Sequence, residues 1–584
     1  MDLDLNRPVV VMGASHPDSS SRSNFIAQPP IAQLPVEILS TIFSYIPSML
    51  NEDGSTIFTY TTDGFPTWLA VTDVCRHWRR VAYECRPLWA YIPLGNIEWT
   101  RIALEQSKPG PIVIDIPDNF SGIDVDAVII SFESMDRVVD FNWWSYIDFK
   151  DDPSKVRRIF DRLFCASTPT HLQSLTICLR TFYQGTLVEI PDTLFMGQSL
   201  PELSEVTFSG PINIKAPTLL HAPSLTCLDL TEVGVGIWAT MADVVETLRA
   251  LPLLQTLSLI QCLPALTDVQ PTRIDLPHLT LLCLVDGIMP AAKILPFLFI
   301  PACEDLDLEL DLRVRGTSEQ DVHAVLKSTL VDMFALAAPT ESSYRFVNIC
   351  PTDGDLQDMT RRTIQACDPH PAGLGGLPTR FQLGLVYPDD VEEYGLGSDA
   401  PLKYLFVDTL RHLPISRVQS LQVANFIFEH DFNWVALFSI CTELSDIAVI
   451  GIDVTHALFT AMVHSWRTNF PVDANTPSPH PVPLRHLSTI TVYETDFTKH
   501  RGTKTPIMDQ TLSIIAARRD DYYPPFRLIL SDCPIAPDKL QELRDDMGLS
   551  GPGDDLLLVV DEWLPRSLDE SDECDIGSSI MPVS

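Results

Sequence analysis

The chain of 584 residues carries 77 acidic against 40 basic side chains, a formal charge of −37, with 45% hydrophobic and 20% charged residues. That length exceeds what one compact core serves, so two or more domains, or one elongated array, are expected. The apolar fraction is that of a folded chain, whereas the negative charge repels nucleic acid and anionic lipid and sets both aside as partners.

The start, MDLDLNRPVVVMGAS, puts acidic residues where a secretory signal needs positive charge, and its apolar run is too short for one. The apolar stretch ILPFLFIPA (294–302) is shorter than a membrane span and holds two prolines. A soluble cytoplasmic or nuclear protein is expected. Thirteen cysteines show no C-x-x-C pair and no Cys/His cluster at zinc spacing, and several lie in apolar segments such as LTICL and LTCLDL. Buried reduced thiols follow, with neither metal nor cofactor. Asn119-Phe120-Ser121 spells a glycosylation sequon, read as a chance match without a signal peptide.

Residues 1–29 are rich in Ser, Pro and Asp without apolar periodicity, a disordered leader. A module over 30–92 follows. From Leu34 the residues Ile38, Leu39, Ile42, Phe43 and Ile46 recur at helical spacing, Pro35 suits the first turn and Pro47 stops the helix. Residues 48–67, with two D-G pairs, read as a loop. A second helix is predicted from Trp68, with Val71, Val74, Cys75, Trp78, Ala82 and Cys85 on its apolar face. Arg86-Pro87-Leu88-Trp89 closes the unit.

Residues 93–565 change texture. A Leu-x-x-Leu-x-Leu rhythm introduces short strands in HLQSLTI, ELSEVTF, SLTCLDL, LLQTLSL, HLTLLCL and CEDLDL, and again in RVQSLQV, ELSDIAV and HLSTITV. The first six begin their phrases at 172, 203, 225, 254, 279 and 303, steps of 31, 22, 29, 25 and 24 residues, which straddle the length of a leucine-rich repeat. The late set, at 418, 444 and 487, implies an inserted loop around DANTPSPHPVP (473–483). Across 310–417 the rhythm blurs into an irregular break, although YRFVNI and RFQLGLV read as strands. DDLLLVVDEWL reads as a terminal strand or cap, and 566–584 as an acidic disordered tail whose Ser567 and Ser571 suit acid-directed phosphorylation.

Two stretches carry a resemblance. Leu34-Pro35-x-Glu37-Ile38-Leu39-x-x-Ile42-Phe43, then Val74-Cys75-Arg76-x-Trp78-Arg79-x-x-Ala82 and Leu88-Trp89, resemble the F-box motif over residues 34–89. The W-L-x-V-x-x-V-C-R-x-W-R run and the leucine phrases resemble the expanded F-box families of mushroom-forming fungi. The segment 48–67 is longer than the shortest F-box pattern. The resemblance implies a three-helix module docking on the Skp-family adaptor of a Skp-cullin-F-box ubiquitin ligase. By correspondence, Leu34, Pro35, Ile38, Leu39, Ile42 and Phe43 lie at or behind the adaptor interface and Arg76 and Arg79 at its rim, while Val74, Trp78 and Trp89 fix the helices.

The fold class expected is α/β, a three-helix F-box followed by an irregular leucine-rich-repeat solenoid with a curved parallel sheet. Alternation along each strand then leaves Glu205, Thr207, Asp229, Thr256, Ser258, Cys283, Asp305, Asp307 and Glu309 on the concave face. Of these, Glu205, Asp229, Asp305, Asp307 and Glu309 are the candidate substrate-binding residues, facing a basic target segment or simply keeping the array soluble.

No G-x-S-x-G, H-E-x-x-H, Walker A or G-x-G-x-x-G pattern is found, and AGLGGLPTR (372–380) lacks the Lys-Ser/Thr that meets phosphate and metal. His77 reads as a helix-surface residue and Cys75 as a buried thiol. A non-catalytic substrate receptor is therefore expected, with no catalytic residue, and with a cullin and an unknown protein target as its further partners. An interaction scaffold without ubiquitination is the alternative, and an unrecognised enzyme within 310–420 a third reading.

Overall fold

The computed structural model describes residues 34–48, 66–116, 123–147, 153–181, 188–312 (except 192–193, 199, 216, 235–236 and 265–271), 319–337, 344–351, 361–367, 380–386, 409–424, 434–469, 484–497 (except 485), 509–511, 527–547 and 558–560. The expected leader, the loop within 48–67 apart from its ends, the sequon, the loop at 473–483, the glycine-rich run up to residue 379, and the acidic tail with Ser567 and Ser571 lie outside them.

A helical region, α1 (Val36–Tyr45), α2 (Val71–Val74), α3 (Arg76–Glu84) and α4 (Ile97–Gln106), leads into β1 (Ile112–Ile116), α5 (Val125–Ser131), β2 (Val138–Ile147), α6 (Pro153–Phe164) and β3 (Ser174–Thr181). There follow β4 (Val188–Ile190), β5 (Glu205–Ser209), β6 (Ile212–Ile214), β7 (Cys227–Thr231), α7 (Met241–Arg249), β8 (Thr256–Ile260) and β9 (Ile274–Asp275). Then come β10 (Leu281–Gly287), α8 (Ile288–Ala291), β11 (Leu298–Phe299), β12 (Asp305–Asp311) and α9 (Glu319–Ala337). The remainder is β13 (Phe346–Pro351), β14 (Arg361–Cys367), β15 (Arg380–Val386), β16 (Ser420–Ala424), α10 (Trp434–Ile440), β17 (Asp446–Ile450), α11 (Ile452–Asn469), β18 (Thr489–Tyr493), β19 (Arg527–Ser531), α12 (Pro537–Met547) and β20 (Leu558–Val560).

Sixteen strands form one sheet in the order β1-β2-β3-β5-β7-β8-β10-β12-β15-β14-β13-β16-β17-β18-β19-β20, while β4 with β6 and β9 with β11 make two small pairs. Along each strand one parity is buried, as in Leu228 and Leu230, Leu257 and Leu259, or Leu306, Leu308 and Leu310. Those residues share one hydrophobic core with Val244 and Leu248 of α7, Leu326 and Leu330 of α9 and Leu458 of α11. The helices thus close one face of the sheet, and the other parity stays mostly half-exposed, with Thr176, Cys178 and Thr363 buried on it.

The same backbone bonds join successive leucine phrases. The carbonyl of Gln173 accepts the N–H groups of Ser204 and Glu205 at 2.8 and 3.0 Å, and that of Ser204 accepts those of Thr226 and Cys227. Thr226, Gln255 and Thr280 continue the pattern, which resumes at Arg345, Gln419 and Ser445. Hydroxyls of Ser204, Thr226, Thr280, Ser445 and Ser488 donate to the same carbonyls at 3.0 to 3.2 Å.

The expectation of a wholly parallel sheet needs correction. YRFVNI and RFQLGLV form β13 and β15, but between them RRTIQAC forms β14, antiparallel to both. The three strands lie in space in the reverse of their chain order. Antiparallel neighbours need only short connections, so the chain runs β13-β14-β15 back toward β12. Beneath them α9, about 28 Å long, seats Phe334 edge-on against Phe381 at 5.4 Å, and Tyr344 stacks on the same ring.

Just past several strands the backbone turns left-handed, at Gly210, Glu232, Gln261, Gly451, Glu494 and Asp532. The N–H groups of Gly210, Glu232 and Gln261 then donate to the next strand's last carbonyl or, at β10, to that of Val285. Gly210, at φ +98°, is the tightest: a Cβ there would stand 1.7 Å from the carbonyl oxygen of Leu179. Gly210→Ala is expected to destabilise the chain by at least about 3 kcal/mol, whereas Gln261→Gly, at a left-handed position already tolerated, leaves stability within about 1 kcal/mol or raises it. Urea denaturation of both variants checks this.

Candidate functional site

Helix α1 carries two apolar stripes. Leu39 and Phe43 face inward and are wholly buried, while Ile38, Ile42 and Tyr45, about 100° around the helix, are 48%, 43% and 66% exposed. Pro35 occupies the N-cap with φ −55° and ψ 150°, and its carbonyl accepts the N–H of Leu39 at 3.1 Å. Pro35 is exposed and Leu34 half-buried against the core.

The second predicted helix is broken. Cys75 is extended (φ −162°, ψ 170°), separating α2 from α3, and its Sγ accepts the N–H of Trp78 at 3.4 Å as an N-cap. Because Cys75 leaves the helix, it is a half-buried cap and not an apolar-face thiol, and Val74 is turned outward, 59% exposed, rather than fixing the helices. Arg79 closes the break: its Nε donates to the Thr72 carbonyl at 2.8 Å, and Nη2 lies 3.7 Å from Asp73. Arg76 and His77 are exposed.

The inner stripe is fixed by aromatic and polar contacts. Phe43 meets Trp78 edge-on at 5.3 Å, and Trp89 stacks on Tyr83 while its Nε1 donates to the Ala82 carbonyl at 2.9 Å. Cys85 Sγ donates to the Ser40 carbonyl, tying α3 to α1, and burial pushes that thiol up.

Residues 31–92 match the F-box-like family. F-box domains in general bind Skp-family adaptors. In this one, α1 separates residues that hold the domain together from residues left facing out. Leu39 and Phe43 are buried behind the outer stripe, on which Ile38 and Ile42 are exposed. No curated protein matches the chain.

The candidate residues of the sheet also lie on its open face. Glu205 is exposed, and Asp229, Asp305, Asp307 and Glu309 are half-buried. Asp305, Asp307 and Glu309 line one strand, while Asp229 and Glu205 stand three and four strand positions away, about 14 and 19 Å. Their fields overlap: burial and then the Asp307 carboxylate push the Cys283 thiol up to about 11, with Asp229 and Glu309 adding to it. Burial, Glu205 and Asp229 do the same to Cys227. Both thiols stay protonated near neutrality, which suits neither a nucleophile nor a metal ligand. Among the described residues no group of three or more His, Cys, Asp or Glu is placed to hold a metal ion, and no helix is long and apolar enough to cross a membrane.

Periodicity missed three features of this face. Asp140 of β2 joins the acidic group, its carboxyl raised first by burial and then by Glu205, opposed by a Ser174 hydrogen bond. Trp144, 45% exposed, stands near the first edge. A carboxamide ladder crosses the reversed strands, where Asn348 Nδ2 donates to Gln365 Oε1 at 3.1 Å and Gln365 Nε2 to Gln382 Oε1 at 3.0 Å. The period-two alternation of β2 was the one available signal; no leucine phrase marked it.

The two stripes of α1 predict opposite mutational costs. Phe43→Ala is expected to lower stability by about 3–5 kcal/mol, and Ile38→Ala or Ile42→Ala by no more than about 0.5 kcal/mol, measured by denaturation of the free chain.

Proposed function

We propose that the chain is the substrate-recognition subunit of a Skp-cullin-F-box ubiquitin ligase. The observation that carries this reading is the outward apolar stripe of Ile38, Ile42 and Tyr45, with Val74 of α2 also exposed, inside the F-box-like match. Apolar side chains held outward on a folded helix gain free energy only when a partner removes them from water. Leu34 and Pro35 extend the stripe, Arg76 supplies a rim charge, and Arg79 supports the α2–α3 break from behind.

The array that follows is read as irregular leucine-rich repeats forming a curved solenoid whose open face holds a protein target through Glu205, Asp229, Asp305, Asp307 and Glu309. Two features support it. The carbonyl stitch recurs with each leucine phrase, and the residue three places after the last leucine-type position is buried and small in several phrases. Cys262 and Cys533 fill that place in LSLIQC and LILSDC, and Thr495 fills it in TVYET. Cys533 Sγ donates to the Val492 and Ser531 carbonyls at 3.3 and 3.2 Å. The chain supplies proximity and orientation while partner enzymes transfer ubiquitin. The cytoplasm or nucleus is its place, and it is read as resembling the expanded fungal F-box families.

An Ile38→Asp/Ile42→Asp variant, which leaves the buried stripe intact, is expected to lose at least about 90% of the Skp-family adaptor and cullin recovered with the intact chain, since a buried unpaired charge in the interface weakens binding more than ten-fold. Its unfolding midpoint should match that of the intact chain. Recovery of adaptor without cullin from the intact chain establishes the scaffold alternative, and undiminished adaptor recovery by the variant removes the docking assignment.

A further inference from the structure

The chain leaves the F-box-like match at residue 92 and enters the sheet at Ile112, and the stretch between is tied down at three points. Backbone bonds among Ala90, Ile92 and Val113 make the first. Asp124 makes the second: its N–H donates to the Leu94 carbonyl at 2.9 Å, and its carboxylate accepts the N–H of Ile97 at 3.3 Å, at the start of α4, and that of Asp126 at 2.9 Å, at the start of α5. The third is Arg137, the residue before β2. Its Nε donates to the Gly110 carbonyl at 2.9 Å, its Nη1 to the Leu104 carbonyl at 3.1 Å and its Nη2 to Ser107 Oγ at 2.7 Å.

We propose that Arg137 is the positioning residue that makes the F-box-like domain and the sheet one rigid unit, and so sets where a target on the sheet stands relative to an adaptor on α1. The proposal rests on the receptor reading above for its consequence, and on the junction alone for its geometry. All three acceptors belong to the last turn of α4 and the turn that follows it, while Val138, next to Arg137, pairs with Ile112 at the start of β1. One side chain thus spans the base of two strands and the end of a helix. That helix is itself packed on the F-box side, since Ala103 and Leu104 share a core with Leu88 and Trp89.

The chemistry of the contact suits a pin. The Leu104 carbonyl lies in the last turn of α4, where helical donors run out and a cation is favoured, and Ser107 is buried, so both groups are costly to leave unpaired. Gly110 keeps the turn tight, because a Cβ there would stand 3.1 Å from the Ser107 carbonyl oxygen. Burial lowers the guanidinium's pKa, opposed by Asp136 and Glu105, and an arginine so placed stays charged. A lysine donates from a single nitrogen and cannot reach three acceptors set apart in this way. From β3 onward a carbonyl that accepts two N–H groups holds the base of the sheet, whereas between β1 and β2 the register shifts at Ile112 and Val113. Arg137 stands at that irregularity. Since β12 lies seven strand steps from β1, about 34 Å along the sheet, a swing of about 10° at the junction would displace it by about 6 Å.

The test uses the full chain, with and without the Skp-family adaptor, carrying nitroxide side chains in place of the exposed Glu84 of α3 and Glu246 of α7. Double electron–electron resonance reads the distance distribution between them. Arg137→Met is expected to broaden it at least about two-fold, and Arg137→Lys, which keeps the charge and loses the fork, at least about 1.5-fold. Leu259→Ala in the core of β8 is the control: it lowers the unfolding midpoint as a buried truncation does and is expected to leave the width within about a fifth of the intact value. If Arg137→Met fails to fold, Arg137→Lys decides alone. An unchanged width in the arginine variants, or equal broadening in the control, overturns the proposal. Adaptor recovery is measured on the same samples: if the intact chain fails to hold the adaptor while the widths still differ, the receptor reading falls and the pin stands.

Discussion

The carbonyl just before each strand governs the architecture. It accepts two N–H groups from the start of the next leucine phrase, and this repeats from Gln173 to Thr280 and again from Arg345 to Ser445. Two bonds to one acceptor fix both the spacing and the register of the incoming strand. Since side chains alternate with period two, a fixed register decides which parity faces the helices. Hence Leu228, Leu257, Leu282 and Leu306 align in one buried row although the segments between them differ in length. Variation in length is absorbed by the connecting segments on the helical side, where α7 and α8 are followed by strands of the same sheet without a change of order.

Much of this was legible because a leucine phrase is both a strand and a statement of which side is buried. The strands from β3 to β12 that belong to the large sheet, and β16 to β18, lie where that rhythm placed them. The reversed order of β13 to β15 was not legible, since local alternation says which face a strand buries but nothing about its neighbour. Among its described side chains RRTIQAC buries Ile364 and Ala366 on its inward parity, too little apolar surface to stand out in sequence. The carboxamide ladder escaped for the same reason: Asn348, Gln365 and Gln382 are separated by 17 residues at each step and meet only through pairing.

In the helical region, periodicity found the apolar positions and could not divide them. Ile38 and Leu39 are adjacent, and each fits an i, i+4 series, with Ile42 and Phe43 respectively. What separates them is the position of α3, which brings Trp78 against Phe43 and leaves Ile42 in water. The break at Cys75 is part of the same arrangement. A continuous helix through Val74 and Cys75 would turn α3 away from α1, and the Cys75 Sγ serves as the cap that a Ser or Asp would ordinarily supply. Helical spacing on both sides of the break concealed it.

The helical region also solves a problem for the sheet. A sheet of this width ends in strands with unpaired backbone groups, which invite association with other chains. At the first edge, Val113 of β1 donates to the Ala90 carbonyl at 2.8 Å and accepts from the N–H of Ile92 at 3.1 Å, so the segment leaving Trp89 covers it as a short parallel bridge through Tyr91. Arg137 reinforces the junction, with its Nε donating to the Gly110 carbonyl and its Nη2 to Ser107 Oγ. Leu88, Trp89, Ile92 and Ile112 to Ile116 lie in one continuous core. A motion of α1 relative to the sheet would therefore break backbone bonds and open that core together. The apolar stripe on α1 and the open face of the sheet are thus joined by packed structure and stand at a fixed distance from one another.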